Sequence, residues 1–455
     1  MFSKVLIANR GEIAVRINRA CHDLGVQTVA IYSQADKDSM HVREADEAYC
    51  VGPGPVPRSY LDIANIVSTA LASGCEAVHP GYGFLAENAR FAEILSDHGL
   101  AFVGPKPSVI AAMGDKATAK RIMKEAGVAT TPGSDILESA QKARDAAKRI
   151  GYPVLLKATA GGGGKGMRVV ERPEDLERAF ASATAEAEAS FKDGRVYMEK
   201  LLIRPRHVEV QVLADDFGTV LHLGERDCSL QKPSHQKLVE EAPAPNLQPK
   251  LRSALHEMAV RACRSVGYTN AGTLEFLVAG DHAYFMEMNT RIQVEHPVTE
   301  MVYGVDLVKE QIRIASGERL GYDQKDLQPR GHAIECRINA EDARNGFVPE
   351  AGTLSRVVFP DGPGIRVDTH VYGGSVVPPY YDSLLAKIVA HGETRDAAIA
   401  RMESALRETE IAGVHTTVDV CLEILATAEF RHGRYDVGTL PKLASGTVAL
   451  REAHG

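Results

Sequence analysis

Hydrophobic and polar positions run along this chain with two different periods. A short apolar stretch, KVLIAN, is followed by Ile13, Ile17, Ala20, Cys21 and Leu24 at helical spacing, and Gly25 closes that helix. VQTVAIY then reads as a strand, LDIANIVSTALASG as a helix and CEAVHPGYG as a strand ending in a Pro/Gly loop. ENARFAEILSDHG follows as a helix and LAFVGP as a strand. This alternation predicts a doubly wound parallel sheet covered by helices. Ligands of such sheets sit beyond the carboxyl ends of the strands, where HPGYGF, residues 79–84, falls.

The pattern then changes. VIAAMGDKATAKRIMKEAG reads as one helix and VATTPG as a linker. YPVLLKA, a glycine run, MRVVE, a helix from Pro173 to about Ala189 and RVYMEKLL make a small α+β unit, with the glycines joining strand to strand. Between residues 206 and 289 strands dominate, interrupted by a helix from about Pro249 to Val266. The last third mixes strands (HAIECRIN, GTLSRVVF) with the helices RDAAIARMESALRE and TTVDVCLEILA. The predicted class is therefore α/β followed by α+β.

Composition narrows this. A chain of 455 residues suggests about three domains. Hydrophobic content of 44% and charged content of 25% are those of a globular protein with a sizeable core. A net charge of −8 without a long Lys/Arg block excludes nucleic acid or an anionic membrane as the main partner, and leaves room for a local basic pocket. The 7 cysteines are scattered and odd in number, so no disulfide framework or structural zinc is expected, and a reducing cytoplasm is. The N-terminus enters a strand pattern at once, and no run approaches the roughly 18 apolar residues of a membrane span.

The glycine run ATAGGGGKGMR fits neither the Walker loop, since Lys165 is followed by Gly166, nor the dinucleotide fingerprint, since a strand follows rather than a helix. Two readings stay open: a hairpin tip that closes over a triphosphate with its backbone N–H groups, and a surface loop without a ligand. Lys157, late in the apolar strand PVLLKA, needs a partner there. With Lys116 of GDK it suits a polyphosphate.

GTLEFLVAGDHAYFMEMNTRIQVEHP carries the strongest chemistry. With an odd-numbered loop, Glu275 lies opposite Glu287, their Cβ atoms about 5 Å apart, and Asn289 shares their face. Such a set suits Mg²⁺ that also holds ATP phosphates. A two-residue turn would place the carboxylates on opposite faces. Arg291, Gln293 and Glu295 continue at spacing two, so an extended chain would bring all three just past the metal. There Arg291 could fork onto a small planar anion and Glu295 accept a proton. Cys228 reads as a small buried residue rather than a nucleophile.

Over nearly its whole length the chain resembles the biotin carboxylases, ATP-grasp enzymes. The resemblance rests on IANRGEIAVRI, HPGYGFLAEN, MGDK, KATAGGGGKGMR, MEKLL, PRHVEVQVLAD, GERDCS, EEAPAP, ECRINAED, PPYYDSLLAK and, most specifically, EMNTRIQVEHPVTE. It implies a Rossmann-like domain at 1–113, an ATP-grasp domain at 114–325 with a mobile lid at 131–203, and a C-terminal domain at 326–447. It implies that ATP phosphorylates bicarbonate to carboxyphosphate, whose carbon passes to N1 of biotin. Lys116, Lys157, Gly163, Gly164, Glu199, Lys200, Leu201, Leu202, His207 and His235 would hold ATP. Glu275 and Glu287 would touch the nucleotide and, with Asn289, bind Mg²⁺ or Mn²⁺. Lys237, Arg291, Gln293 and the backbone N–H of Val294 would hold bicarbonate. Glu295 would be the base, Arg337 would stabilise the biotin ureido oxygen, and Tyr82 would line the biotin pocket.

One stretch departs from the family. After GERDCS the family reads Gln-Arg-Arg-His-Gln-Lys, whereas this chain reads QKPSHQK, one residue longer and without the arginines. Aligned, His235 and Lys237 take the family's His and Lys positions, with Pro233 placed to redirect the loop. No Met-Lys-Met biotinylation site is present. The expectation is thus a free-standing cytoplasmic subunit, a homodimer, that works with a biotin carboxyl carrier protein and a carboxyltransferase subunit. By default this is acetyl-CoA carboxylase and fatty acid biosynthesis. Alternatives are another ATP-grasp carboxylate–amine ligase or a non-catalytic nucleotide-binding subunit.

Overall fold

A computed structural model describes residues 1–159 and 167–440. Residues 160–166, with Gly163, Gly164 and Lys165, lie outside the described residues. The N-terminal sheet has five parallel strands in the spatial order Glu47–Gly52, Gln27–Ser33, Lys4–Ile7, Ala77–His79 and Ala101–Phe102. The strand order reverses between Lys4–Ile7 and Ala77–His79, and a crevice opens there at the carboxyl ends. Asn9 spans it: its Nδ2 donates to the carbonyls of Pro80 (2.7 Å) and Tyr82 (2.8 Å), which fixes the HPGYGF loop. The edge strand Glu47–Gly52 is an addition to the pattern reading; it exposes Tyr49 and Cys50 and shows no alternation.

The expected long helix is two helices, Pro107–Gly114 and Lys116–Glu125. Asp115 is extended (ψ 109°) and caps the second helix, its carboxylate accepting from the Thr118 N–H at 2.7 Å. Lys116 therefore stands at a helix start. Val154–Ala158 is the central strand of a three-stranded antiparallel sheet, between Met167–Val170 and Val196–Lys200, covered by the helices Ala140–Ile150 and Leu176–Phe191.

The remaining body is built on one eight-stranded antiparallel sheet. Its order is His282–Asn289, Asn270–Ala279, Arg206–Ala214, Val220–Gln231, Lys237–Ala242, His332–Asn339, Leu384–Gly392 and Ile365–Thr369. The sheet runs without a break from the central region into the C-terminal third. Along Arg206–Ala214 the alternation sorts the faces. Val208, Val210 and Val212 pack into the core with Leu255 and Met258 of the helix Pro249–Val266, while His207, Glu209 and Gln211 point the other way. No helix among the described residues is long and apolar enough to cross a membrane.

Candidate active site

The polar face of the large sheet and the three-stranded sheet above it enclose a cavity of about 700 Å³. Its roof carries Lys157, Glu199, Lys200, Leu201 and Leu202, and its near wall His207 and His235. The floor carries Lys237, Glu275, Glu287 and Asn289, and the far end Arg291, Gln293, Val294, Glu295, Arg337 and Tyr82. Lys116 is exposed and does not line the cavity, although its charge acts on Lys157 and Glu287.

The carboxylate pair is present, by an unexpected route. Ala279 pairs with His282, so the turn is the two-residue Gly280–Asp281, with Gly280 at φ +58°. Taken alone this register would turn Glu287 away. A bulge corrects it: Phe276 pairs with Phe285 but Glu275 pairs with Glu287, so Met286 is an extra residue that shifts the following strand by one. Burial and the adjacent Glu275 push the Glu287 carboxyl up, and among the described residues no side chain bonds to it. A buried and a half-buried acid face to face are destabilising unless a cation lies between them. The donors therefore fit a hard divalent ion. Asn289 donates from Nδ2 to Glu275 (2.9 Å), and its Oδ1 accepts from Arg291 (3.0 Å).

Lys237 is the hub of the floor. Its ammonium donates to Glu209 (2.6 Å), Glu275 (3.1 Å) and Glu295 (2.5 Å). Burial would lower its pKa, but the three carboxylates raise it well above the ordinary lysine value. Glu295 receives a second cation, Arg337, at 2.9 Å. Burial works to protonate Glu295, yet Lys237, Arg337 and Arg226 hold its carboxyl well below the usual range. Arg337 also bonds Glu240 at 2.6 Å. Burial, with Glu295 near, pushes Glu240 up to about 7 although Arg337 pulls it down.

The QKPSHQK departure is absorbed within its turn. Gln231 pairs with Lys237, and the register shifts lie before this pair, between Asp227 and Gln231. Lys232 accepts from the His235 N–H (2.8 Å) and turns its ammonium into the interior against Glu341 (2.6 Å). His235 takes φ +63° and stays exposed at the cavity edge. Gln231 remains buried and bonds His207 Nδ1 (2.8 Å), so the longer loop leaves Gln231 and Lys237 facing the site. Pro233 is exposed at the tip and redirects neither end.

The segment after Asn289 does not continue as a strand. Residues 294 and 295 turn into the helix His296–Tyr303, and Arg291, Gln293 and Glu295 nonetheless all reach the cavity. Arg291 forks onto Glu87 (2.8 Å) of the N-terminal domain as well as onto Asn289. At the roof Lys157 pairs with Glu199 (2.5 Å), and Lys120 pairs with the same carboxylate. One acid against two half-buried ammoniums, with Lys116 adding repulsion, is not enough. Burial and like charge push Lys157 down to about 8 and Lys120 to about 7. Tyr82 donates its hydroxyl to Glu12. Cys228 is buried 3.8 Å from Glu295, and burial with Glu209 keeps its thiol protonated.

Several site residues escaped the sequence reading: Glu87, Lys120, Arg226, Glu209 and Glu240. Arg226 is fully buried and bonds Glu209 (2.6 Å), Gln211 (2.8 Å), Thr299 (3.0 Å), Thr273 (3.2 Å) and Gln293 (2.9 Å). The signal for it was available. HVEVQV places polar groups at every second position of an otherwise apolar strand, and such a face needs a cation.

Comparison with known proteins gives a consistent result. The family model described as "Biotin carboxylase, N-terminal domain" matches residues 1–110, and "Biotin carboxylase C-terminal domain" matches residues 335–442. "Carbamoyl-phosphate synthase L chain, ATP binding domain" matches residues 115–322. The biotin carboxylase of Nostoc sp. is 54% identical over 434 residues, covering 95% of this chain and 97% of that protein. Biotin carboxylase 1 of Bacillus subtilis is 52% identical over 439 residues, covering 96% and 97%. A biotin carboxylase–ATP complex from Campylobacter jejuni superposes with a TM-score of 0.92 at 46% identity over 97% of this chain and 99% of that one. The biotin carboxylase domain of Hydrogenobacter thermophilus 2-oxoglutarate carboxylase, a dimer with MgADP, ADP and bicarbonate, superposes with a TM-score of 0.92 at 50% identity over 100% of both.

Proposed function

The chain belongs to the biotin carboxylase family, and from that premise we propose that its cavity runs the family's reaction. ATP, bicarbonate and carrier-borne biotin become ADP, phosphate and carboxybiotin, a ligase reaction. The observation that carries this reading is the bridge Lys237–Glu295–Arg337, set between the opposed acids Glu275 and Glu287 and the Tyr82 end of the cavity.

The chain's own residues divide the work. Lys116, Lys157, Glu199 to Leu202, His207 and His235, with Gly163 and Gly164, hold ATP under the roof. A magnesium or manganese ion held by Glu275 and Glu287, with Asn289, would neutralise phosphate charge and aid transfer to bicarbonate. Lys237, Arg291, Gln293 and Val294 hold bicarbonate. Arg291 must then exchange Glu87 or Asn289 for its new anion, and its planar fork suits either. Glu295 is already a carboxylate, the form a base needs. Its two cations weaken it, and bicarbonate drawing Lys237 away restores basicity. Arg337 then turns to the biotin ureido oxygen, and Tyr82 bounds the biotin pocket. Carboxyphosphate hydrolyses in water, so a covered site serves the second step.

The chain divides at residues 113/114 and 325/326, with 131–203 as the lid. It acts on a separate biotin carboxyl carrier protein together with a carboxyltransferase subunit, as a cytoplasmic homodimer in acetyl-CoA carboxylase and fatty acid biosynthesis. The test is ADP formation with bicarbonate and Mg²⁺, with and without biotin. Turnover at full rate without biotin overturns the reading. Identification of the co-purifying biotinylated protein and its acyl acceptor tests the pathway.

A further inference from the structure

Behind the far end of the cavity lies a lysine that the reaction as described does not use. Lys387 is 0% exposed, in the strand Leu384–Gly392, directly opposite Arg337 on one neighbouring strand and Asp368 on the other. Opposed residues share a face, so its ammonium lies on the side of the sheet that carries Arg337. It donates to the Val294 carbonyl at 2.8 Å. It also pairs with Glu12 at 3.2 Å and Asp368 at 3.7 Å. The same Glu12 oxygen accepts the Tyr82 hydroxyl, and the other oxygen is buried without a partner among the described residues.

A buried lysine is expensive, and surface-averse packing would be met more simply by an apolar residue. Here the contacts with Val294 and Glu12 lead to the site, while Asp368 is shared with Arg366. The Val294 carbonyl belongs to the peptide that also carries the Glu295 N–H, so a bond to it fixes the backbone of the base. Glu12 carries the position of Tyr82. Burial lowers the ammonium's pKa, but Glu12, Glu335 and Asp368 raise it above the ordinary value, so the group is a permanent cation. The lysine thus ties a turn of the central domain to the first turn of the helix Gly11–Asp23 in the N-terminal domain.

We propose that Lys387 is a positioning residue: it clamps the Val294–Glu295 peptide and, through Glu12, the Tyr82 hydroxyl, and so sets the separation of the bicarbonate and biotin ends of the site. This rests on the carboxylase reading, and biotin-dependent turnover of the unsubstituted protein is established first, so that a failure of that reading shows there. The probes are ATP, bicarbonate and free biotin. For Lys387→Met the bicarbonate KM rises roughly tenfold or more, more ADP is released per carboxybiotin formed, and ATP affinity stays unchanged. Glu12→Gln keeps the Val294 bond; it raises the biotin KM and the ADP-to-carboxybiotin ratio while the bicarbonate KM holds. A folded Lys387→Met with unchanged bicarbonate KM and ratio overturns the proposal. Should Lys387→Met not fold, Glu12→Gln decides, and an unchanged biotin KM and ratio there overturns it equally.

Discussion

Beside the roof of the cavity Lys120 and Lys157, with the exposed Lys116 near them, repel one another around a single acid, Glu199; at the floor Lys237, Arg226 and Arg337 are each pinned by buried acceptors. The consequences for charge are opposite. Lys120 and Lys157 are pushed down, toward neutrality, whereas the floor cations are raised. An under-compensated set of cations is completed by a polyanion from outside. An over-compensated set is already ordered and only exchanges partners when a small anion enters. On the proposed reading that polyanion is ATP, so the roof would acquire its order on binding while the floor carries its order beforehand.

The contrast is sharpest at Glu295. Replacing it with Ala removes the proposed base from the floor and leaves the roof intact. Carboxylation should fall by about 10²–10⁴-fold, with ATP affinity unchanged by titration calorimetry. A parallel loss of ATP binding would mean that the two ends are not separable.

Arg226 tests whether the floor's order is intrinsic. Arg226→Met strands Glu209 and four further acceptors without their cation, and should cost about 3–5 kcal/mol in chemical denaturation. Lys157→Gln at the roof should cost almost nothing in the same experiment, because it relieves repulsion as it breaks one pair. Equal losses would erase the distinction.

Glu287 lies between the two. Glu287→Gln should weaken activation by Mg²⁺ by about 10–100-fold. Without metal the same variant should melt higher than the unsubstituted chain, since a like charge opposite Glu275 is gone. A lower melting temperature without metal would show that the pair is not under repulsion.

The same division governs what the sequence disclosed. Local periodicity found the parallel sheet, the helix Pro249–Val266 and the joining of Val154–Ala158 to Met167–Val170 by the glycine run. Residue type and spacing found Lys157, Glu275, Glu287, Asn289, Arg291, Gln293 and Glu295, because acids and lysines in apolar strands are costly, whereas Tyr82, Glu199 to Leu202, His207, His235, Lys237, Val294 and Arg337 were reached through the family resemblance. What local pattern missed depends on pairing at a distance. The Met286 bulge changes register without changing alternation nearby, so an expectation of an odd loop reached the right pairing for the wrong reason. Glu87 meets Arg291 across 204 positions, and nothing in either neighbourhood announces it. The break at Asp115 was legible, since an Asp three residues before Thr118 is a helix start in the middle of a helical pattern.

The smallest effect follows from the roof lysines and needs no substitution. In the free protein Lys157 loses its proton near pH 8 and Lys120 near pH 7. A lysine is a cation below its pKa, so raising the pH strips charge from the roof. Bound triphosphate stabilises the ammonium form and restores the protons. ATP affinity should therefore fall by roughly tenfold or more between pH 7 and 9. At pH 8, binding should take up protons, read as a dependence of the calorimetric heat on the buffer's ionisation enthalpy. Lys157→Gln should lower affinity at pH 7 and flatten the profile, while Glu295→Ala should leave its shape unchanged. A floor variant that reshaped the pH profile would show that the cations of the two ends titrate as one system.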